Sequence, residues 1–288
     1  MPDLQERAAE IEASDQPMVD ERFQLARDAL RERVLDLALS QFKWLWDNML
    51  KYALSMSGVR SSFMASEIEK LIECHPPARA AFAAKRDALL ERAQRAGRMS
   101  QRDAYRDWIE LSERLGDTDV VLEWYDGIKG NIRYQEVLDG MSRDIEELLA
   151  KNERWADLGR LIPDPISRLQ RQLDLFAARN TLVKSDRSER DRERQLERDA
   201  RRLRTYAAHY YAGMLATGND TKAGALVEFA IAHDDTPEMR CWLVELAIAC
   251  GCPSERDAGL LDEAEAMGRD VTDVRKRLRR TLRDGPAA

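Results

Sequence analysis

The sequence has few turn-forming residues and no long apolar run. Only 14 glycines and 9 prolines occur in 288 residues, and no alternating β-type run is bounded by Asn-Gly or Asp-Gly. Sandwiches and barrels need many such strands and turns. A membrane-spanning helix needs about eighteen apolar residues in a row, and the stretch MPDLQERAAEIE lacks the cationic and apolar segments of a signal peptide. We therefore expect an all-α cytoplasmic protein without a membrane segment.

Cysteine and histidine are also scarce. The four cysteines are too few and too clustered for a disulfide framework, and the pair formed by Cys250 and Cys252 has no second pair nearby, whereas structural zinc takes four ligands. Phosphate-binding loops, G-x-S-x-G and H-E-x-x-H are missing, and the three histidines are far apart in the sequence. We therefore expect no metal, no cofactor and no enzymatic activity.

The balance of charge is acidic. The net charge is −7 and the pI is about 5.3, which argues against a nucleic-acid partner, because such a partner requires a concentrated cationic face. An acidic protein is better suited to a basic partner. One segment differs from the rest of the chain: residues Lys184–Arg204, KSDRSERDRERQLERDARRLR, are dense in arginine and acid. This segment predicts either a solvated helix or linker, or a contact with nucleic acid.

Apolar residues recur at helical spacing between short breaks, which predicts a succession of antiparallel helical hairpins. Hairpins joined by short loops pack mainly on their neighbours, as in an α-solenoid. The charged segment divides the chain into three predicted regions: an N-terminal helical array over 1–183, the charged helix or linker itself over 184–204, and C-terminal hairpins over 205–288.

Four motifs between Arg31 and about Asn180 suggest a family. They read LALSQFKWLW, SGVRSSF, HPPAR and RWADLGRLIPDP, and together they resemble bacterial tetratricopeptide-like helical-repeat proteins of unassigned role. This resemblance implies a TPR-like α-solenoid that binds other proteins. No 34-residue period recurs in the sequence, so the repeats are expected to be irregular.

The helix that contains LALSQFKWLW carries two stripes. Trp46 lies on the apolar face with Phe42 and Leu45, so we expect Trp46 in the core. A second, amphipathic stripe has two interpretations: a partner-binding surface, on which aromatic side chains supply contact area, or packing beneath a neighbouring helix. Its members are Gln41, Trp44, Asn48 and Tyr52.

Arg60 follows this helix and is the fifth candidate for partner binding. At the start of a helix a cation is disfavoured by the helix dipole unless an anion holds it. We expect a structural ion pair to Asp47 or Asp28, with contact to a ligand as the alternative.

These patterns favour a non-catalytic helical-repeat module that binds a protein or peptide in a groove between hairpins, and the acidic balance suits a basic partner. Two alternatives stay open. One is an immunity protein that neutralises a cationic toxin, and the other is a nucleic-acid-associated protein that uses the Lys184–Arg204 helix. Nothing in the patterns predicts an oligomeric state.

Overall fold

The computed structural model describes residues 3–95, 98–182 and 188–284. Within these ranges the chain forms helices and turns, with no β-strand, so the all-α prediction is confirmed. The chain divides into two compact units, Met1–Asp144 (unit 1) and Ile145–Ala288 (unit 2). The division falls inside the helix Gln135–Lys151.

Unit 1 begins with two short helices and continues with longer ones. A 3₁₀ turn (Leu54–Met56) and a π-helical turn (Arg60–Met64) interrupt the regular helices after α3, and a second 3₁₀ turn (Ile132–Tyr134) precedes α9. The α-helices are α1 (Leu4–Ala13), α2 (Val19–Arg31), α3 (Leu35–Tyr52), α4 (Ser57–Val59), α5 (Ala65–Cys74), α6 (Pro76–Arg95), α7 (Arg98–Leu115), α8 (Thr118–Ile128) and α9 (Gln135–Lys151).

Unit 2 contains the last part of α9 and seven further helices. Their starts are marked by capping side chains: Ser254 and Asp257 form a capping box, and Thr236 caps the helix that begins with Pro237. The helices are α10 (Trp155–Leu161), α11 (Pro165–Leu182), α12 (Glu189–Ala216), α13 (Asp220–His233), α14 (Pro237–Ala249), α15 (Glu255–Ala266) and α16 (Thr272–Asp284).

Helices pack on their neighbours in sequence or on the next helix but one. In unit 1 the closest partners are α2 with α3 and α6 with α7; in unit 2 they are α10 with α12, α12 with α14, and α14 with α15. This pattern is compatible with a helical-repeat fold. It arises because each helix has one apolar stripe that must be covered, and short loops leave the adjacent helices as the nearest cover.

Two glycines allow the closest helix approach in unit 2. A Cβ atom placed on Gly159 of α10 would lie 2.1 Å from the carbonyl oxygen of Gly213 in α12. No side chain fits in that gap, so the two backbones touch directly. The contact fixes α12 at the centre of a core that includes the fully buried rings of Tyr210 and Tyr211.

The charged segment is helical where the structure describes it. Lys184–Arg187 lie outside the described residues, and the rest forms the first part of α12, which continues without a break past Arg204 to Ala216. Nearly all side chains from Glu189 to Arg198 are exposed, and burial begins at Asp199. The three-part division predicted from the sequence stays a prediction.

Candidate partner-binding surface

The apolar stripe of α3 forms part of the core of unit 1. Phe42, Leu45 and Met49 are fully buried and Trp46 is 5% exposed. The ring of Trp46 meets Phe82 edge to face, with centroids 6.4 Å apart. Trp46 is therefore a core residue, as predicted, and it fixes the orientation of the second stripe on the same helix.

The first residue of the second stripe is buried. Gln41 is 2% exposed and its Oε1 accepts a hydrogen bond of 2.9 Å from Nη1 of Arg22 in α2. The same guanidinium donates to the carbonyl oxygens of Ile11 and Pro17, at 3.3 Å each. Burial lowers the pKa of Arg22, an effect that the nearby carboxylate of Glu12 opposes. Gln41 thus helps to join α1, α2 and α3 and does not face solvent.

The other three residues of the stripe lead from the interior to the surface. The guanidinium of Arg22 lies over the half-buried ring of Trp44, 4.3 Å from its centroid. Trp44 and Tyr52 are stacked with their planes 8° apart and their centroids 6.1 Å apart. Asn48 lies between them and donates to the carbonyl oxygen of Trp44 at 2.8 Å. Tyr52 is 59% exposed, so Trp44 supports an aromatic ring that faces water.

Arg60 is paired, but with a residue other than those predicted. Its Nη1 and Nη2 donate to the two carboxylate oxygens of Asp107 in α7, at 2.7 and 2.8 Å. The guanidinium also lies 4.1 Å from the centroid of Trp46. Asp47 binds Lys85 instead, and Asp28 binds Arg7 and Arg31. The predicted partners were wrong because α5 packs against α7, which supplies an acid 47 residues away.

Two exposed apolar residues close in sequence to Tyr52 and Arg60 were missed by the sequence analysis. Leu54 is 76% exposed and Phe63 is 70% exposed, and both lie in the segment between α3 and α5, while Tyr52 is the last residue of α3. We call Tyr52, Leu54 and Phe63 the apolar corner. The signal was present in the sequence: Leu54 and Phe63 are large apolar residues among serines, at positions that fit no helical stripe.

The apolar corner is built on irregular but anchored backbone. The π-helical turn Arg60–Met64 places Arg60 and Met64 inside while Phe63 points out. π-Turns within helices occur frequently at functional sites. Here the turn is held by the bidentate pair with Asp107, so the exposed side chains stand on a fixed frame.

Unit 1 is acidic overall, although cations lie next to the aromatic pair. Arg22 lies over the ring of Trp44, and Lys51 donates to Asn48 at 3.2 Å. On α1, Glu6, Glu10 and Glu12 are exposed, and the charge of Glu12 acts on Arg22. Most of the chain's net negative charge belongs to unit 1, a balance that favours a cationic ligand.

Clefts elsewhere in unit 1 are shallow and carry charges of both signs. Two clefts of about 310 and 360 Å³ lie side by side between α2 and α5. Part of their charge is paired locally, as Arg31 is with Asp28 and Lys70 with Glu67. The larger cleft has more cations than acids in its lining: Arg31, Arg33 and Lys70 against Glu73.

Polar groups that could perform chemistry are occupied by structural contacts. In unit 2, Glu146 is 5% exposed, accepts a hydrogen bond of 2.9 Å from the hydroxyl of Tyr210 and lies 2.6 Å from Nη2 of Arg168. Burial raises the pKa of Glu146 despite the opposing charge of Arg168. The cluster is enclosed, and its contacts join α9, α11 and α12 in the core of unit 2.

The histidines and cysteines form no site in the described part of the chain. His75 contacts Asp36 at 3.0 Å, half-buried His209 lies beside Trp155 with its pKa lowered by desolvation, and His233 contacts the carbonyl of Phe229. Burial raises the pKa of Cys250 to about 12. Among residues 3–95, 98–182 and 188–284, no three His, Cys, Asp or Glu side chains are grouped as metal ligands would be, and no helix there is long and apolar enough to cross a membrane.

No family model, curated protein or solved structure matches this chain. The resemblance to tetratricopeptide-like proteins stays a prediction.

Proposed function

We propose that this protein is a non-catalytic helical module whose unit 1 binds a basic, partly apolar segment of another protein. The apolar corner of Tyr52, Leu54 and Phe63 would contact the apolar side chains of that segment. We further propose that the hairpins stack as an irregular, TPR-like α-solenoid, which would make the corner one edge of a groove.

One observation carries the proposal: three large apolar side chains are exposed in the stretch from Tyr52 to Phe63, which includes the turn that Arg60 anchors. Exposed apolar residues are common singly, but several in one short stretch on a held backbone are typical of an interaction site. Elsewhere in the described part of unit 1, large exposed apolar side chains are limited to Val120 and Ile132. Ordering the π-helical turn on binding should cost little conformational entropy, because the Arg60–Asp107 pair already holds it.

The acidic balance of unit 1 supports the choice of a basic partner. Acids on α1 raise the local concentration of a cationic segment and orient it as it approaches, and the apolar corner then removes apolar surface from water, at about 25 cal/mol per Å². An immunity protein that occludes a cationic toxin would use the same surface, so that alternative is a special case of this proposal.

The test is selection of peptides from a random library on the full-length chain, followed by affinity measurement by isothermal titration calorimetry. We expect the selected peptides to be rich in Lys or Arg and in large apolar residues. A corner variant with Tyr52→Ser, Leu54→Ser and Phe63→Ser should bind them at least about tenfold more weakly, which is about 1.4 kcal/mol. Its helical circular dichroism should be unchanged because all three side chains are exposed.

A matched control variant, Val120→Ser with Ile132→Ser, removes exposed apolar surface elsewhere in unit 1 and should bind as the wild type does. Equal losses in both variants, or selection of acidic peptides, would contradict the proposal. If light scattering shows a wild-type dimer that the corner variant converts to a monomer, the corner binds a second copy of this chain and the proposed partner is wrong.

A further inference from the structure

Helix α16 in unit 2 carries a stripe of cations on its exposed face. Lys276, Arg279, Arg280 and Arg283 are all exposed, and they follow one another at steps of three, one and three residues. This spacing places them on one side of an α-helix. At 1.5 Å per residue, the stripe is about 10 Å long. We call these four residues the basic stripe.

The other two cations of α16 are already neutralised. Arg275 binds Asp262 and Glu265 at 2.5 and 2.8 Å, and Arg277 binds Glu245 at 3.1 Å. These pairs attach α16 to α14 and α15.

Within the described part of the chain, the basic stripe itself meets only two acids. Asp273 lies 3.3 Å from Lys276, and Asp284 lies 3.5 Å from Arg280 and 3.3 Å from Arg283. All of these side chains are more than half exposed, so the pairs are screened by water and each contributes at most about 1 kcal/mol. Arg279 makes no ion pair or hydrogen bond with any described residue. The face retains a net positive charge that a stronger anion can bind.

The opposite face of α16 packs against the other helices of unit 2. Val271 and Leu278 are each 1% exposed, and the helix packs on α14 and α15. A helix that binds a membrane surface buries its apolar face among the lipids, and here that face is covered by protein except at Leu282, which is 44% exposed. One such side chain is too little for insertion into lipid, so the ligand is recognised chiefly through charge.

We propose that the basic stripe of α16 binds the phosphate backbone of nucleic acid. Arginine donates two parallel hydrogen bonds that match a phosphate, and arginines make up three of the four cations. Duplex DNA presents one negative charge per about 1.7 Å of axis, so a stripe about 10 Å long always faces several phosphates. The net charge of the whole chain does not prevent this, because charges beyond about 8 Å are screened at physiological ionic strength.

The expected binding is weak, independent of base sequence and steeply dependent on salt. Neutralising four phosphates gives a slope of log K against log[salt] near −3.6. Affinity should then fall about 100-fold between about 50 and 200 mM salt. Base specificity is not expected, because an outward-facing stripe of cations contacts phosphates and not base edges.

The experiment measures fluorescence anisotropy of a short labelled DNA duplex of arbitrary sequence with the full-length protein over a salt series. The variant Arg279→Gln with Arg283→Gln should halve the slope to about −1.8 and leave circular dichroism unchanged. Arg279→Lys with Arg283→Lys should keep most of the slope. The control, Arg190→Gln with Arg194→Gln, removes two exposed cations from α12 and should match the wild type.

Three results would overturn the proposal: absence of binding at low salt, equal effects of the α16 and α12 variants, or stronger binding to an acidic peptide or to anionic vesicles than to the duplex. The second result would assign any binding to the charged segment of α12 or to charge in general. Because α16 lies in unit 2, the outcome is independent of the test on the apolar corner.

Discussion

Replacing Asp107 by Asn should destabilise unit 1 strongly, because it leaves a buried guanidinium without its carboxylate. The side chains of Arg60 and Asp107 are only 10% and 21% exposed. After the change, Arg60 would keep a long contact of 3.5 Å to the carbonyl of Trp46 and the contact with the Trp46 ring at 4.1 Å. Neither replaces two charge-assisted hydrogen bonds.

The magnitude follows from that burial. Breaking a buried ion pair costs about 3 to 5 kcal/mol, and the partial exposure of Asp107 places the expected loss near 3 kcal/mol. For a unit of this size the loss lowers Tm by roughly 10 °C. Urea titration with hydrogen exchange read by mass spectrometry would assign the loss to peptides of α5 and α7.

Two further variants make the reasoning refutable. Asp47→Asn breaks the more exposed pair with Lys85, whose side-chain exposures are 52% for Asp47 and 18% for Lys85, and should cost no more than about 1 kcal/mol. Arg60→Met with Asp107→Leu should recover much of the loss, because an apolar pair of similar volume needs no desolvation of charge. If Asp107→Asn costs no more than Asp47→Asn, the π-helical turn is not anchored as described.

Three other predictions concern packing and titration. Gly159→Ala should lower the free energy of unfolding by about 3 kcal/mol or more, because the new Cβ would overlap the Gly213 carbonyl. Gly259→Ala, with open space around it, should be neutral or slightly stabilising. Thermal melts would compare the two variants, and equal Tm values would be inconsistent with the close contact. Tyr210→Phe should cost about 1 to 2 kcal/mol by removing the donor to Glu146, as chemical denaturation would measure, and an unchanged midpoint would refute this. Burial alone would raise the pKa of Asp28, but hydrogen bonds and charges, first from Arg7 and Gln24, outweigh it and lower the pKa. The carboxylate therefore stabilises the fold above about pH 4, and that contribution is lost as the pH falls below it. Asp28→Asn should make the free energy of unfolding less dependent on pH in the acid range, and an unchanged dependence would contradict this.

Local regularities made most helices predictable. The predicted succession of helices agrees with the helical structure of the described residues, since apolar spacing and breakers act within a few residues. Trp46 could be assigned to the core for the same reason. The burial of Gln41 could not be foreseen, because it depends on Arg22 arriving from another helix.

Long-range pairing and local charge limited the prediction of sites. Asp107 could not be named as the partner of Arg60 because the contact depends on how α5 meets α7. The basic stripe was overlooked since the net charge of −7 describes the whole chain and not one helix face. Leu54 and Phe63 could have been predicted to be exposed, because they are large apolar residues at positions that fit no helical stripe.

Site-specific photo-crosslinking would test the central claim, that the apolar corner contacts a basic partner segment. p-Benzoylphenylalanine would replace Tyr52, Leu54 or Phe63 in turn, with Ile132 as the control position, and each protein would be irradiated with a peptide selected on the wild type. We expect adducts from the three corner positions and none from Ile132. Adducts of equal yield at Ile132, or none at the corner, would contradict the account.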